Sequence, residues 1–170
     1  MLKQKTQDIT IRLSQDPDAG AISSLLHDSF AEYESLYNPE SFAATAILSE
    51  QVSKRIDEGR MWVAVSDKQV VGTVSVIPKG DTLYIRGMAV LPVARGQRIG
   101  ERLLTIVEEF AARGRFRRML LSTTPFLDRA IRLYENFGFQ RTREGPHDLF
   151  GTPLFSMEKV PSNVEMTASE

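Results

Sequence analysis

Arg95-Gly96-Gln97-Arg98-Ile99-Gly100 brings together the residue types that hold a pyrophosphate. Glycine lets the backbone turn so tightly that consecutive N–H groups face one anion. A helix expected from Ile99 adds the unpaired N–H groups of its first turn and the positive end of its dipole. Arg95 and Arg98 supply charge and forked donors. The loop lacks both the G-x-G-x-x-G spacing of a dinucleotide fold and the Gly-Lys-Ser/Thr of a P-loop. Strand–glycine–helix turns also occur without a ligand, so the loop alone is compatible with a purely structural turn. Gly87 interrupts the strand-like run Thr82–Val90, which suggests a bulge or a close backbone approach. Tyr134 lies on the apolar stripe of a predicted helix, where a phenol can serve as an acid or simply fill the core.

Other chemistries are excluded by what the chain does not contain. It has no cysteine, and His27 and His147 are its only histidines. Disulfides, a thiol nucleophile and thiolate metal sites are ruled out, and no metal is expected. The 170 residues are 42% hydrophobic and 25% charged, the profile of one globular domain. A net charge of −1 offers no global attraction to nucleic acid or acidic membranes. Between Arg95 and Arg118, however, seven arginines stand against three glutamates. The stretch Arg113–Arg118 reads either as a solvated face or as an anion site. A nucleic-acid binder would need more interleaved aromatics than Phe116 alone. The longest apolar runs, Met61–Val65 and Val70–Ile77, are far short of the roughly 20 residues of a membrane span. Met1–Asp8 carries no apolar signal core, so a cytoplasmic location is expected.

These residues must be positioned by a framework that the periodicities outline. Ile9–Leu13 alternates as a strand. Asp16-Pro17 opens a helix reaching about Tyr33, with Ile22, Leu25, Leu26 and Phe30 at helical spacing. Asn38-Pro39 is read as part of a break, and Ser49–Glu58 as a helix stopped by Gly59. Arg60–Ser66 and Gln69–Pro78 form a hairpin through Asp67-Lys68, and Thr82–Val90 is a third strand. Helices follow at Ile99–Arg113, ended by Gly114, and at Asp128–Phe137, capped by Gly138, with a strand at Arg118–Thr123 between them. Phe139–Glu144 and Thr152–Val160 close the sequence as strands. The order β-α-α-β-β-β-α-β-α-β-β predicts an α/β (α+β) fold. Its central sheet is mixed, mostly antiparallel and of about seven strands, with helices on both faces. One domain is expected over residues 9–160, followed by a disordered tail from 161 to 170.

Two stretches resemble one family. The Arg95–Gly100 loop is similar to the Gln/Arg-x-x-Gly-x-Gly/Ala motif of the GNAT N-acetyltransferases, and Met88-Ala89-Val90-Leu91-Pro92 to the strand end before it. Ala130–Phe139 resembles the family's A-x-x-x-Y-x-x-x-G-F segment. The resemblance covers about residues 9 to 160. It implies acetyl-CoA as cosubstrate and transfer of its acetyl group to a primary amine by direct attack. The coenzyme would be bound at Met88, Ala89, Val90, Arg95, Gly96, Gln97, Arg98, Ile99, Gly100 and Glu101. The backbone N–H of Met88 would polarise the thioester carbonyl, and Tyr134 would be the general acid. Two residues depart from the pattern: Arg98 stands where glycine is usual, and Leu127 where many members carry asparagine.

The general base is left open. Tyr84 stands where members often carry a glutamate, and Glu32, Glu34, His147 and Asp148 are candidates. Ser122, Thr123 and Thr124 would end a strand near the thioester, to orient a water or only as strand-end hydroxyls. The acceptor is expected to be a small-molecule or peptide amine, and the acidic candidates would suit a cationic one. Neither nucleic acid nor membrane is an expected partner, and the state is a monomer or homodimer. A non-catalytic acyl-CoA-binding sensor or interaction module is the alternative.

Overall fold

The computed structural model describes residues 8–145 and 147–162. Most of the expected tail, from residue 163, lies outside the described residues. Strand β1 (Ile9–Leu13) leads through a 3-10 turn at Asp16–Asp18 into helix α1 (Ala19–Phe30), and a second 3-10 segment covers Ala31–Leu36. Asp18, rather than Asp16, closes the helix entrance. Its carboxylate accepts hydrogen bonds from the Gln15 N–H at 2.7 Å and from Nη1 and Nη2 of Arg12 at 2.8 and 2.9 Å, which holds it below the usual carboxylate range.

The segment around Asn38-Pro39 is a helix start instead of a break. Helix α2 (Pro39–Thr45) begins there, with Asn38 Oδ1 accepting the Ser41 N–H at 2.8 Å. Asparagine at the cap and proline in the first turn are the residues such a start favours. Helix α3 (Ser49–Glu58) then leads to β2 (Arg60–Ser66), β3 (Gln69–Lys79) and β4 (Thr82–Val90). Asp67 and Lys68 both take positive φ, 48° and 64°, which matches a two-residue turn to the strand twist. Helix α4 (Ile99–Arg113), strand β5 (Arg118–Thr123) and helix α5 (Asp128–Phe137) have their expected bounds. The left-handed residue beyond α4 is Arg115, while Gly114 stays right-handed.

At the end of the chain the expected strand Phe139–Glu144 is only β6 (Gln140–Arg141). Between the two expected strands the chain contributes β7 (His147–Leu149), a hairpin arm on β8 (Thr152–Lys159). The sheet therefore has eight strands, ordered β1-β2-β3-β4-β5-β8-β6 with β7 on β8. Every pairing is antiparallel except β4 with β5, the two strands joined by the α4 crossover.

Alternation along β2 divides the core between the sheet's two faces. Trp62 and Ala64 pack with Leu103, Leu104 and Val107 of α4, whereas Met61 and Val63 pack with Ile22 and Leu26 of α1 and Val52 of α3. Gly72 lets α4 come close. A Cβ there would stand 3.0 Å from Ile99 and 3.3 Å from Leu103.

Candidate active site

The β4–β5 ladder runs from Thr82↔Arg118 to Ile85↔Leu121 and stops. Beyond it β5 continues against β8 through Ser122 and Thr123, while β4 continues against β3 through Ala89 and Val90. The cause lies in the register of β3 with β4. Ser75 faces Arg86 and Thr73 faces Ala89, so Gly87 and Met88 together stand opposite Val74. Gly87, at φ +69°, is the residue that can make this bulge without strain. The two strands part, and the gap opens into a cavity of about 640 Å³.

One end of the cavity is the loop singled out in the sequence. Arg95, Gly96, Arg98, Ile99, Gly100 and Glu101 line it, together with Met88, Ala89 and Val90 of β4. Gln97 is exposed and outside the lining. Gly96 turns the chain at φ +85°, and Arg98 caps α4 in the left-handed region at φ 58°. The usual glycine at position 98 would take that conformation freely, and arginine does so at a strain of about 1 kcal/mol or more. The first turn of α4 thus points unpaired N–H groups at the cavity mouth, the arrangement that receives phosphate. Gly100 keeps that mouth narrow-walled, since a Cβ there would meet Leu133 of α5 at 2.7 Å and Met88 at 3.4 Å.

Tyr134 lines the cavity and is buried. Burial pushes its hydroxyl up to about 12, and the nearby Tyr37 adds to the rise. Burial also raises Tyr37, while the Thr124 and Thr45 hydroxyls beside it pull the other way. Ser122, Thr123, Thr124 and Leu127 are in the lining, and Thr123 Oγ1 is buried without a hydrogen-bond partner. Ser122 Oγ lies 3.0 Å from Ser156 Oγ.

The four base candidates are placed differently: none lines the cavity. Glu32 forms an ion pair with Arg95. Glu34 and His147 are exposed, and Asp148 accepts the Gly151 N–H at 2.8 Å in the β7–β8 turn. Tyr84 does line the cavity, with Lys79 stacked on its ring at 4.7 Å. Sequence reasoning missed several lining residues: Tyr33, Tyr37 and Thr45 beyond α1, Arg55 on α3, Arg86 on β4 and Arg129 on α5. Their signal is tertiary, because three helices and a strand deliver them to one space. The arginines at 113 to 118 are outside the lining; Arg117 pairs with Asp81, and Arg118 with Glu144 and Glu158. Among the described residues no cluster of potential metal ligands occurs, and no helix is long and apolar enough to cross a membrane.

The mixed sheet parts beside the loop that caps α4, and comparison with known proteins gives this arrangement a family. The chain belongs to the Acetyltransferase (GNAT) family, whose profile matches residues 22–139. It is 30% identical over 128 residues to the uncharacterized N-acetyltransferase YjgM of Escherichia coli, covering 72% of this chain and 77% of that protein. It is 37% identical over 89 residues to the probable N-acetyltransferase camello of Xenopus laevis; the match spans 51% of this chain and only 41% of the frog protein. Among solved structures, the PaiA N-acetyltransferase of Thermoplasma acidophilum in complex with coenzyme A superposes with a TM-score of 0.77 at 18% identity, over 90% of this chain and 99% of that one. The ribosomal-protein-S18-alanine N-acetyltransferase of Escherichia coli superposes with a TM-score of 0.72 at 16% identity, over 91% and 95% of the two chains. These two superpositions define the fold.

Proposed function

We propose that the protein moves an acetyl group from acetyl-CoA to a primary amine by direct attack within a ternary complex. The observation that carries this reading is the parting of β4 from β5 beyond Ile85, beside the loop that caps α4. An extended, amide-bearing arm fits such a gap as an added strand does. In this reading the pyrophosphate sits against Arg95–Glu101. The backbone of Met88, Ala89 and Val90 receives the arm, and the Met88 N–H donates to the thioester oxygen.

The amine nitrogen attacks the carbonyl carbon, and negative charge gathers on the oxygen facing Met88. Collapse of the adduct breaks the carbon–sulfur bond, and the thiolate leaves toward Tyr134. With its hydroxyl at about 12 against a thiol near 8.5, full proton transfer from Tyr134 is uphill by about 5 kcal/mol. Tyr134 therefore works as a hydrogen-bond donor to the developing thiolate, and the thiol proton is completed from solvent. The amine loses its proton to water in the open cleft, because none of Glu32, Glu34, His147 and Asp148 lines it. The same reading places the protein in the cytoplasm, as a monomer or homodimer.

The test is an acetylation assay over a broad amine panel, following CoA release together with the N-acetylated product. Stoichiometric appearance of both supports the reading. Acetyl-CoA binding with no turnover of any amine would favour a non-catalytic acyl-CoA sensor instead.

A further inference from the structure

The cavity is cationic at both ends, and the coenzyme accounts for only one of them. Arg95 and Arg98 belong to the loop, while Arg55 of α3 and Arg86 of β4 line the cavity beside the Gly87 bulge. Val90 lies four residues along β4 from Arg86, about 13 Å of strand.

The two distal arginines are unequally satisfied. Arg86 Nη2 donates to Glu58 Oε2 at 3.1 Å, but its Nε is buried with no hydrogen-bond partner. Arg55 is half-buried, and its guanidinium makes no hydrogen bond or ion pair among the described residues. Its guanidinium lies on the bulge, since a Cβ at Gly87 would stand 2.9 Å from Nη1. Burial and the neighbouring Arg86 charge depress its pKa, and Glu58 only partly offsets them. A guanidinium held in a cleft without an anion is unfavourable until one arrives. Tyr33, Tyr37, Thr45 and Tyr84 add hydroxyls to the lining. Among the described residues the only carboxylate in the lining is Glu101, in the first turn of α4.

We infer that the acceptor is a small amine that carries a carboxylate, bound by Arg55 and the free Nε of Arg86 with its nitrogen turned toward Gly87 and Met88. The inference rests on the acetyl-transfer reading and names the substrate class of that site. It replaces the cationic acceptor suggested by Glu32, Glu34 and Asp148, because those carboxylates do not line the cavity. A forked guanidinium accepts a carboxylate through two parallel bonds, which fixes direction as well as charge.

Matched pairs decide the matter: α-amino acids and their carboxamides are compared as acceptors for the unmodified chain, Arg55→Gln and Arg55→Lys. Acetyl-CoA affinity is read separately by thermal shift. The acid should exceed its carboxamide in kcat/KM by about tenfold or more. Arg55→Gln should lower the acid by about 10- to 100-fold and leave the carboxamide and acetyl-CoA affinity nearly unchanged, with Arg55→Lys between. Equal use of acid and carboxamide, or an equal fall for both in Arg55→Gln, would overturn the inference. If no pair is turned over, calorimetry of the acids with the CoA-loaded protein decides. Absence of binding overturns the acceptor class and leaves the coenzyme site standing. Binding abolished by Arg55→Gln supports the carboxylate site even as it removes catalysis. Loss of the acetyl-CoA shift itself removes both readings.

Discussion

Arg98 holds a conformation that its side chain opposes, and the balance can be measured. Glycine at that φ of 58° relieves about 1 kcal/mol of strain. Arg98→Gly should therefore raise the thermal midpoint by a few degrees while weakening acetyl-CoA binding severalfold. A lowered midpoint would show that the guanidinium supports the fold, and unchanged affinity that it touches no phosphate. Tyr134→Phe should lower kcat by about 10- to 100-fold and leave acetyl-CoA affinity unchanged. Because burial holds the phenol at about 12, kcat should show no descending limb from this tyrosine up to about pH 10. An alkaline limb near that pH, present in the parent and lost in the variant, would show that burial does not hold the phenol so high. At this scale the loop and Tyr134 were legible because local spacing carries them. Arg55 and Arg86 were not, since nothing in either segment says that α3 lays one guanidinium beside the other.

Among the elements, α4 matters most, because its first turn is the proposed anion site and its position depends on β3. Ile99 and Leu103 rest on Gly72, a residue outside the cavity lining. Gly72→Val should push the start of α4 outward, destabilise the protein by about 1–3 kcal/mol and weaken acetyl-CoA binding. Titration of the folded variant checks this, and unaltered affinity would mean the loop positions itself. Gly87→Ala places a Cβ against Arg55 at positive φ, so stability should fall by about 1 kcal/mol or more, with catalysis reduced as the bulge shifts. Denaturant unfolding together with kcat measures both effects. Helices with full apolar stripes, α4 and α5, were readable to the residue. Helix α2 was missed because Asn38-Pro39 has two readings, chain break or cap with first-turn proline, and only its packing distinguishes them. β7 escaped for a related reason: three residues carry no period, and pairing with β8 alone makes them a strand.

For the molecule as a whole, one arrangement connects sequence to function: a bulge parts two parallel strands beside the helix that crosses between them. The mixed sheet and the order of its central elements follow from strand and helix periods. The gap follows from a single register change that no period reveals, although Gly87 marks where it falls. The account's central claim is that acetyl-CoA occupies this gap with its pyrophosphate on the start of α4. Thermal unfolding with and without acetyl-CoA tests it most directly, beside an Arg98→Glu, Gly100→Asp double variant. An aspartate in the first turn suits the helix dipole, but its Cβ must displace the Leu133 side chain, so the variant's own unfolding midpoint is read first and a folded variant should repel phosphate. Saturation at about 100 times the Kd should stabilise the parent by about 2.7 kcal/mol, a shift of several degrees that the variant lacks. No shift of the parent at millimolar acetyl-CoA, or an equal shift in the variant, would contradict the claim.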